Sequence, residues 1–148
     1  MMTSSQLSSV RRRHLQEIFG DAPAGEIPVG RGRGQALIAP GTPVARTVAA
    51  MVRLLAWKGK EFDGPSNRLR NLITPFAVRA IAADVYLDAS RIDGRPCVVL
   101  DYSKTSLIAR WVRDEIREVA PGLYLGVVFI GSRRAPLMFS LEFGSDKV

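Results

Sequence analysis

The residues best suited to chemistry lie where one predicted strand ends and the next begins. Asp101 and Tyr102 end an apolar run, and the connection that follows carries further ionisable and aromatic residues: Arg110, Trp111, Arg113, Asp114 and Glu115. A carboxylate held away from water could act as a general base, while a phenol or guanidinium stabilises an enolate or oxyanion. We therefore name Asp101, Tyr102 and Glu115 as candidate catalytic residues. The alternative is that these groups form exposed ion pairs and strand-end hydrogen bonds.

Other common kinds of site are excluded or disfavoured. The chain has one cysteine, Cys97, and no histidine cluster, so it has no zinc signature. Its one histidine, His14, lies in the predicted N-terminal tail, which disfavours a histidine triad. The Gly-Arg repeat of residues 30–34 lacks the Lys-Ser/Thr of a phosphate loop and has no aromatic residues for base stacking. We interpret it as a linker and predict neither metal nor cofactor.

The net charge of +7 favours an anionic partner, but the positions of the charged residues matter more than their sum. Arginines 11–13, 31 and 33 lie in the first quarter of the chain, in a predicted basic tail. Nucleic acid is therefore a minor alternative. No apolar run reaches the roughly 18 residues of a membrane helix, and the N-terminus lacks the apolar region of a secretory signal. We expect a cytoplasmic protein without a membrane span and leave a homodimer open.

The elements that must position these residues are mainly strands of one domain. An Asp-Gly pair at Asp93-Gly94 predicts a hairpin with a type I′ turn. The run Leu123–Ile130 is apolar on both faces. This pattern predicts that a helix or a partner packs on its outer face and that a core or cavity lies on its inner face. The predicted strands are Trp57–Phe62, Ile81–Asp88, Cys97–Tyr102, Leu123–Ile130 and Leu137–Phe143, with Trp111–Val119 favoured as a charged strand over a helix.

The N-terminal part is expected to hold two helices. Ser9–Phe19 can form a short helix capped by Ser9, and Thr42-Pro43 is a good start for a second helix that extends to Leu55. We place the domain boundary near Gln35, with residues 1–34 as a loosely held basic tail and residues 35–148 as the β-domain. Asn67–Phe76 fits a short helix or an irregular strand.

The stretch Leu55-Ala56-Trp57-Lys58-Gly59 resembles the Gly-x-Trp-x-Gly opening motif of small bacterial lipocalin-like proteins, with Leu55 in place of the first glycine. The later Tyr124–Val128 and Phe139–Glu142 resemble the closing strands of those proteins. The resemblance implies a small antiparallel β-barrel in which Trp57 begins the first strand and closes one end. It also implies a cup for a small apolar molecule.

Three functions remain open from the sequence. The first is a barrel that binds a small hydrophobic or amphipathic ligand, with an anionic head group as one option. The second is an isomerase, cyclase or hydrolase on the same scaffold, and the third is an adaptor with a nucleic-acid-binding tail. Whether the barrel is hollow is also open. The candidate ligand-binding residues are Trp57, Tyr102, Arg110, Trp111, Arg113 and Tyr124.

Overall fold

The protein is mainly β, with a closed barrel of eight antiparallel strands and two short helices before it. The computed structural model describes residues 2–38, 57–73, 78–106 and 109–144, so the helix predicted after Thr42-Pro43 lies outside the described residues. The elements are α1 (Ser4–Leu7), α2 (Arg12–Asp21), β1 (Gly30–Ile38), β2 (Trp57–Asp63), β3 (Arg68–Ile73), β4 (Val78–Ala89), β5 (Pro96–Asp101), β6 (Val112–Ala120), β7 (Leu123–Ile130) and β8 (Arg133–Phe143).

Each strand pairs with its neighbour in the chain, and the pairing of β1 with β8 closes the barrel. This closure leaves no unpaired edge among the eight described strands. We call the end where β5 stops and β6 starts the top of the barrel. At the bottom, the rings of Phe62 and Tyr124 pack edge-on against Phe143, with centroids 5.7 and 5.5 Å away. Ile27, which precedes β1, packs against this lower part of the core.

The Gly-Arg repeat is part of the barrel wall, so its interpretation as a linker is wrong. Residues 30–34 begin β1, and the proposed boundary residue Gln35 lies within that strand. Gly32 is needed because a Cβ there would lie 2.6 Å from the Phe143 ring. A Cβ on Gly59, whose φ is +138°, would collide with the backbone of Gly32. The glycines therefore allow close packing, which periodicity alone does not reveal.

The two apolar faces of β7 are both covered, as its sequence predicts. One face lines the barrel, while Leu125 and Val127 on the other face pack against Leu7, Leu15 and Phe19 of the helical segment. The predicted Ser9 cap is wrong, because α2 begins at Arg12 and the Ser9 hydroxyl donates to the Gln6 carbonyl at the end of α1.

Arg117 joins the helical segment to the β4–β5 hairpin. Its buried guanidinium donates to the Phe19 carbonyl at 3.0 Å and to both carboxylate oxygens of Asp93 at 2.9 and 2.7 Å. The Asp93-Gly94 hairpin is confirmed, but its loop spans residues 90–95, and only Gly94 has a positive φ there. The loop is therefore not the two-residue type I′ turn, which needs a positive φ at both of its central residues. The Asp93 carboxylate instead accepts hydrogen bonds from Arg117 and from the Arg95 amide.

The remaining ambiguous segments are strands. Residues 112–120 form β6, which pairs with β7, so the charged-strand prediction is confirmed. Residues 68–73 of the ambiguous Asn67–Phe76 stretch form β3. Trp57 begins β2 and not the first barrel strand, which corrects one detail that the lipocalin-like motif implied.

Candidate functional site

Four polar side chains meet inside the barrel, surrounded by apolar walls. They are Lys60 of β2, Asn71 of β3, Tyr102 just after β5, and Asp114 of β6, and each residue is at most 6% exposed. Lys60 and Asn71 are direct register partners. In the closed strand order, β2 and β6 stand on opposite sides of the barrel. The contact of Lys60 with Asp114 therefore spans the lumen.

The four side chains form one hydrogen-bonded group, which we call the lumen cluster. The Lys60 ammonium donates to Asn71 Oδ1 at 2.8 Å and to the Tyr102 hydroxyl at 2.6 Å, and it lies 3.2 Å from Asp114 Oδ2. Asn71 Nδ2 donates to the Tyr102 hydroxyl at 3.0 Å, and that hydroxyl donates to Asp114 Oδ2 at 3.4 Å. The ammonium also lies 5.3 Å from the centre of the Phe139 ring. One oxygen, Asp114 Oδ1, is buried and accepts no hydrogen bond from the described residues.

Strand alternation explains why these polar groups face inward. In a strand, side chains two positions apart share a face. Each of the four polar residues lies two positions from a buried apolar residue of the barrel core, on the same strand or directly after it. The pairs are Lys60 with Phe62, Asn71 with Leu69, Tyr102 with Leu100, and Asp114 with Ile116. The sequence analysis did not single out Lys60 and Asn71, although their phase against Phe62 and Leu69 was a usable signal.

Burial and mutual contact set the ionisation of the cluster. Burial alone would lower the pKa of Lys60, but the neighbouring Tyr102 and Asp114 outweigh it and hold that pKa above its ordinary value. Burial raises the pKa of the Tyr102 phenol and of the Asp114 carboxyl, while the Lys60 charge opposes both shifts. The salt bridge of Lys60 with Asp114 gives the cluster one positive and one negative charge, which compensate each other.

Asp101 lies next to the cluster in sequence but not within it. Its carboxylate accepts from the Tyr86 hydroxyl at 2.8 Å and from the Ser103 amide at 2.9 Å. Burial and the hydrogen bond to Asp101 raise the pKa of Tyr86 to about 12. Asp101 therefore has the strand-end hydrogen bonds that the sequence analysis gave as the alternative to catalysis.

Glu115 and Arg113 lie on the other face of β6 from Asp114. Glu115 is fully buried and accepts from the Ser90 hydroxyl at 2.6 Å, from the Arg91 amide at 2.9 Å, and from Arg113 at 3.1 and 3.2 Å. Arg113 also donates to the Ala89 carbonyl. These contacts tie the β4–β5 loop to β6, and they keep both residues away from the lumen cluster.

The other predicted ligand-binding residues are separated along the barrel. Trp111 is 64% exposed at the top, with the Arg110 guanidinium 4.7 Å from its ring centre. Tyr124 lies near the bottom and donates to the Glu26 carbonyl at 2.7 Å. Only the backbone position of Trp57, at the start of β2, is described. Of the predicted site residues whose side chains are described, Tyr102 alone belongs to the cluster.

Other features of the described residues do not compete with this cluster. A groove of about 550 Å³ lies near the bottom, around the β2–β3 turn, but it contains none of the cluster residues. One of its lining arginines, Arg68, is exposed and pairs with Asp84 at 3.2 Å. Within the described ranges, no group of three or more metal-binding side chains is found. No described helix has the length and apolar character needed to cross a membrane.

Comparison with known proteins supports the fold. The chain is similar to a protein of known crystal structure from Thermomonospora curvata, with a TM-score of 0.70 and 19% sequence identity. The match covers 91% of this chain and 88% of that one. No family model and no curated protein sequence matches the chain. At this identity the likeness extends to the fold alone, and a closed eight-stranded antiparallel barrel fits a lipocalin-like architecture.

Proposed function

We propose that the barrel binds a small hydrophobic or amphipathic molecule, with the polar part of that molecule against the lumen cluster and its apolar part against the barrel wall. The observation that carries this proposal is an ion pair of two side chains that are each 5% exposed, placed among apolar residues. Replacing a buried ion pair with apolar residues is often neutral or stabilising. Stability alone therefore does not account for Lys60 and Asp114.

The placement of the described residues along the barrel supports the same proposal. Aromatic rings and Ile27 pack in the lower barrel, whereas Tyr102 and Asp114 lie near the upper ends of their strands. The exposed Trp111 also stands at this upper end. The Gly-Arg repeat lies in the barrel wall, so the adaptor function loses the flexible tail on which it depended.

The direct test is a thermal melt of the whole chain with 1-decanol, decyl methyl ether or decanoate as the probe. A ligand at a hundredfold excess over its dissociation constant stabilises the fold by about 2.7 kcal/mol. For a chain of this size that corresponds to roughly 5–10 °C in melting temperature. Tryptophan fluorescence should change over the same concentration range. If no probe changes either signal, the lumen is filled by side chains and the proposal is wrong.

An enzyme is the second candidate, and the raised pKa of Asp114 favours it. Such a carboxylate is a stronger base than an ordinary aspartate, and its free Oδ1 could take a proton from a carbon beside a carbonyl while the electron pair moves to the carbonyl oxygen. However, Lys60 and Tyr102 already donate hydrogen bonds to other members of the cluster. Deuterium exchange into 2-decanone in D₂O, abolished by Asp114→Asn, would support catalysis; no exchange would favour binding alone.

A further inference from the structure

The hydrogen bonds of the lumen cluster can be counted atom by atom. The three ammonium hydrogens of Lys60 are directed to Asn71 Oδ1, the Tyr102 hydroxyl and Asp114 Oδ2. The Tyr102 hydroxyl accepts from Lys60 and Asn71 and donates its single hydrogen to Asp114 Oδ2. Lys60 and Tyr102 therefore have no hydrogen left for a ligand.

Asp114 is the member of the cluster with unused capacity. Its Oδ2 accepts from both Lys60 and Tyr102, whereas its Oδ1 is buried and accepts from no described residue. A buried polar atom without a partner costs free energy that a hydrogen bond would recover. The missing partner of a carboxylate oxygen must be a hydrogen-bond donor.

Charge decides which donor fits. The Lys60 ammonium lies 3.2 Å from Asp114 Oδ2 and neutralises the carboxylate, so the cluster has no net charge to attract an ion. An ammonium group on the ligand would be repelled by Lys60, and a carboxylate would be repelled by Asp114 Oδ1. A neutral hydroxyl meets neither repulsion and supplies the hydrogen that this oxygen lacks.

We infer that the ligand is an apolar molecule with a hydroxyl group, and that this hydroxyl donates to Asp114 Oδ1. The inference rests on the proposed function and decides between the head groups that the sequence left open. Arg113, one of the candidate ligand-binding residues, instead donates to Glu115 on the other face of β6.

The test compares three probes with the same ten-carbon chain, by calorimetric titration of the full protein. We expect 1-decanol to bind about 10- to 100-fold more tightly than decyl methyl ether, because a hydrogen bond to a charged group contributes on that scale. Decanoate should also bind more weakly than the alcohol. Equal binding of all three would overturn the hydroxyl inference but leave ligand binding intact. Binding of none would instead overturn the proposed function.

The variant Asp114→Asn sharpens the test. Lys60 and Tyr102 donate to the Oδ2 position, so the amide oxygen of the variant should stay there and its NH₂ group should replace Oδ1. The site would then offer a donor, from which the alcohol and the ether can both accept, so the preference for the alcohol should be lost. Asp101→Asn is the matched control, since Asp101 also accepts from a tyrosine but lies outside the cluster. An unchanged preference in Asp114→Asn would overturn the role of Asp114. If that variant does not fold, the wild-type comparison still decides.

Discussion

A double-mutant cycle on Lys60 and Asp114 measures how strongly the stability contribution of each buried charge depends on the other. Lys60→Met keeps the length of the side chain but leaves the Asp114 carboxylate buried without its cation. Breaking a buried pair in this way typically destabilises a protein by about 3–5 kcal/mol. For a chain of 148 residues this corresponds to a fall in melting temperature of roughly 6–20 °C.

The double variant Lys60→Met with Asp114→Asn removes both charges at nearly constant volume. It retains a hydrogen-bond acceptor for Tyr102 and loses the contacts made by the ammonium, which are worth roughly 1–3 kcal/mol in total. We therefore expect the double variant to be more stable than Lys60→Met alone. If the two sites were independent, their changes in the free energy of unfolding would simply add. Urea denaturation followed by circular dichroism measures all four corners of the cycle.

Dependence on pH gives this cycle a second readout. In Lys60→Met the pKa of Asp114 should rise further, because burial remains and the opposing ammonium is gone. The folded state then binds a proton more tightly than the unfolded state, so the unfolding free energy falls as pH rises above the ordinary range of an aspartate. The double variant should lack this dependence.

The control for the cycle is Arg68→Met, which breaks an ion pair whose side chains are 61% and 32% exposed. We expect a change within about 0.5 kcal/mol for this exposed pair. The reasoning would be refuted if Lys60→Met behaved like this control, or if the double variant were destabilised by the full sum of the two single changes.

Three further predictions concern the barrel and its supports. Gly126→Ala should destabilise the fold by about 1–3 kcal/mol, because an added Cβ would lie 2.3 Å from the Phe139 ring. The control is Gly20→Ala in α2, where an added Cβ meets no atom within 4 Å and should not destabilise the fold. Denaturant melts compare the two variants. Asp93, whose pKa is lowered to about 2 by the hydrogen bonds from Arg117, should stabilise the fold above about pH 4 and lose this effect towards pH 2; Asp93→Asn should flatten that part of an acid titration. Removal of residues 1–29 should lower the melting temperature, since buried residues of both helices cover the outer face of the barrel; an unchanged melt would show that they form a dispensable tail.

Much of the barrel could be predicted from the sequence because its signals are local. Alternating residues in Leu137–Phe143 and the Asp93-Gly94 pair indicate strands joined by short turns, and both features are present in the fold. Tyr102 could be placed in the site for a similar reason, since it directly continues a buried strand. A single cysteine likewise excludes a disulfide within the chain without any structure.

The site itself was decided by tertiary structure. Lys60 and Asp114 are 54 positions apart in the chain, and their contact exists because β1 closes on β8 and sets β2 opposite β6. No local pattern reports that closure, and a lysine or aspartate in a strand is by default expected to face water. The same holds for Gly30–Gly34, which looks like a linker in sequence but forms the start of β1, with Gly32 packed against Phe143. Local periodicity thus determined the strands, whereas ring closure determined which of their polar residues share the interior.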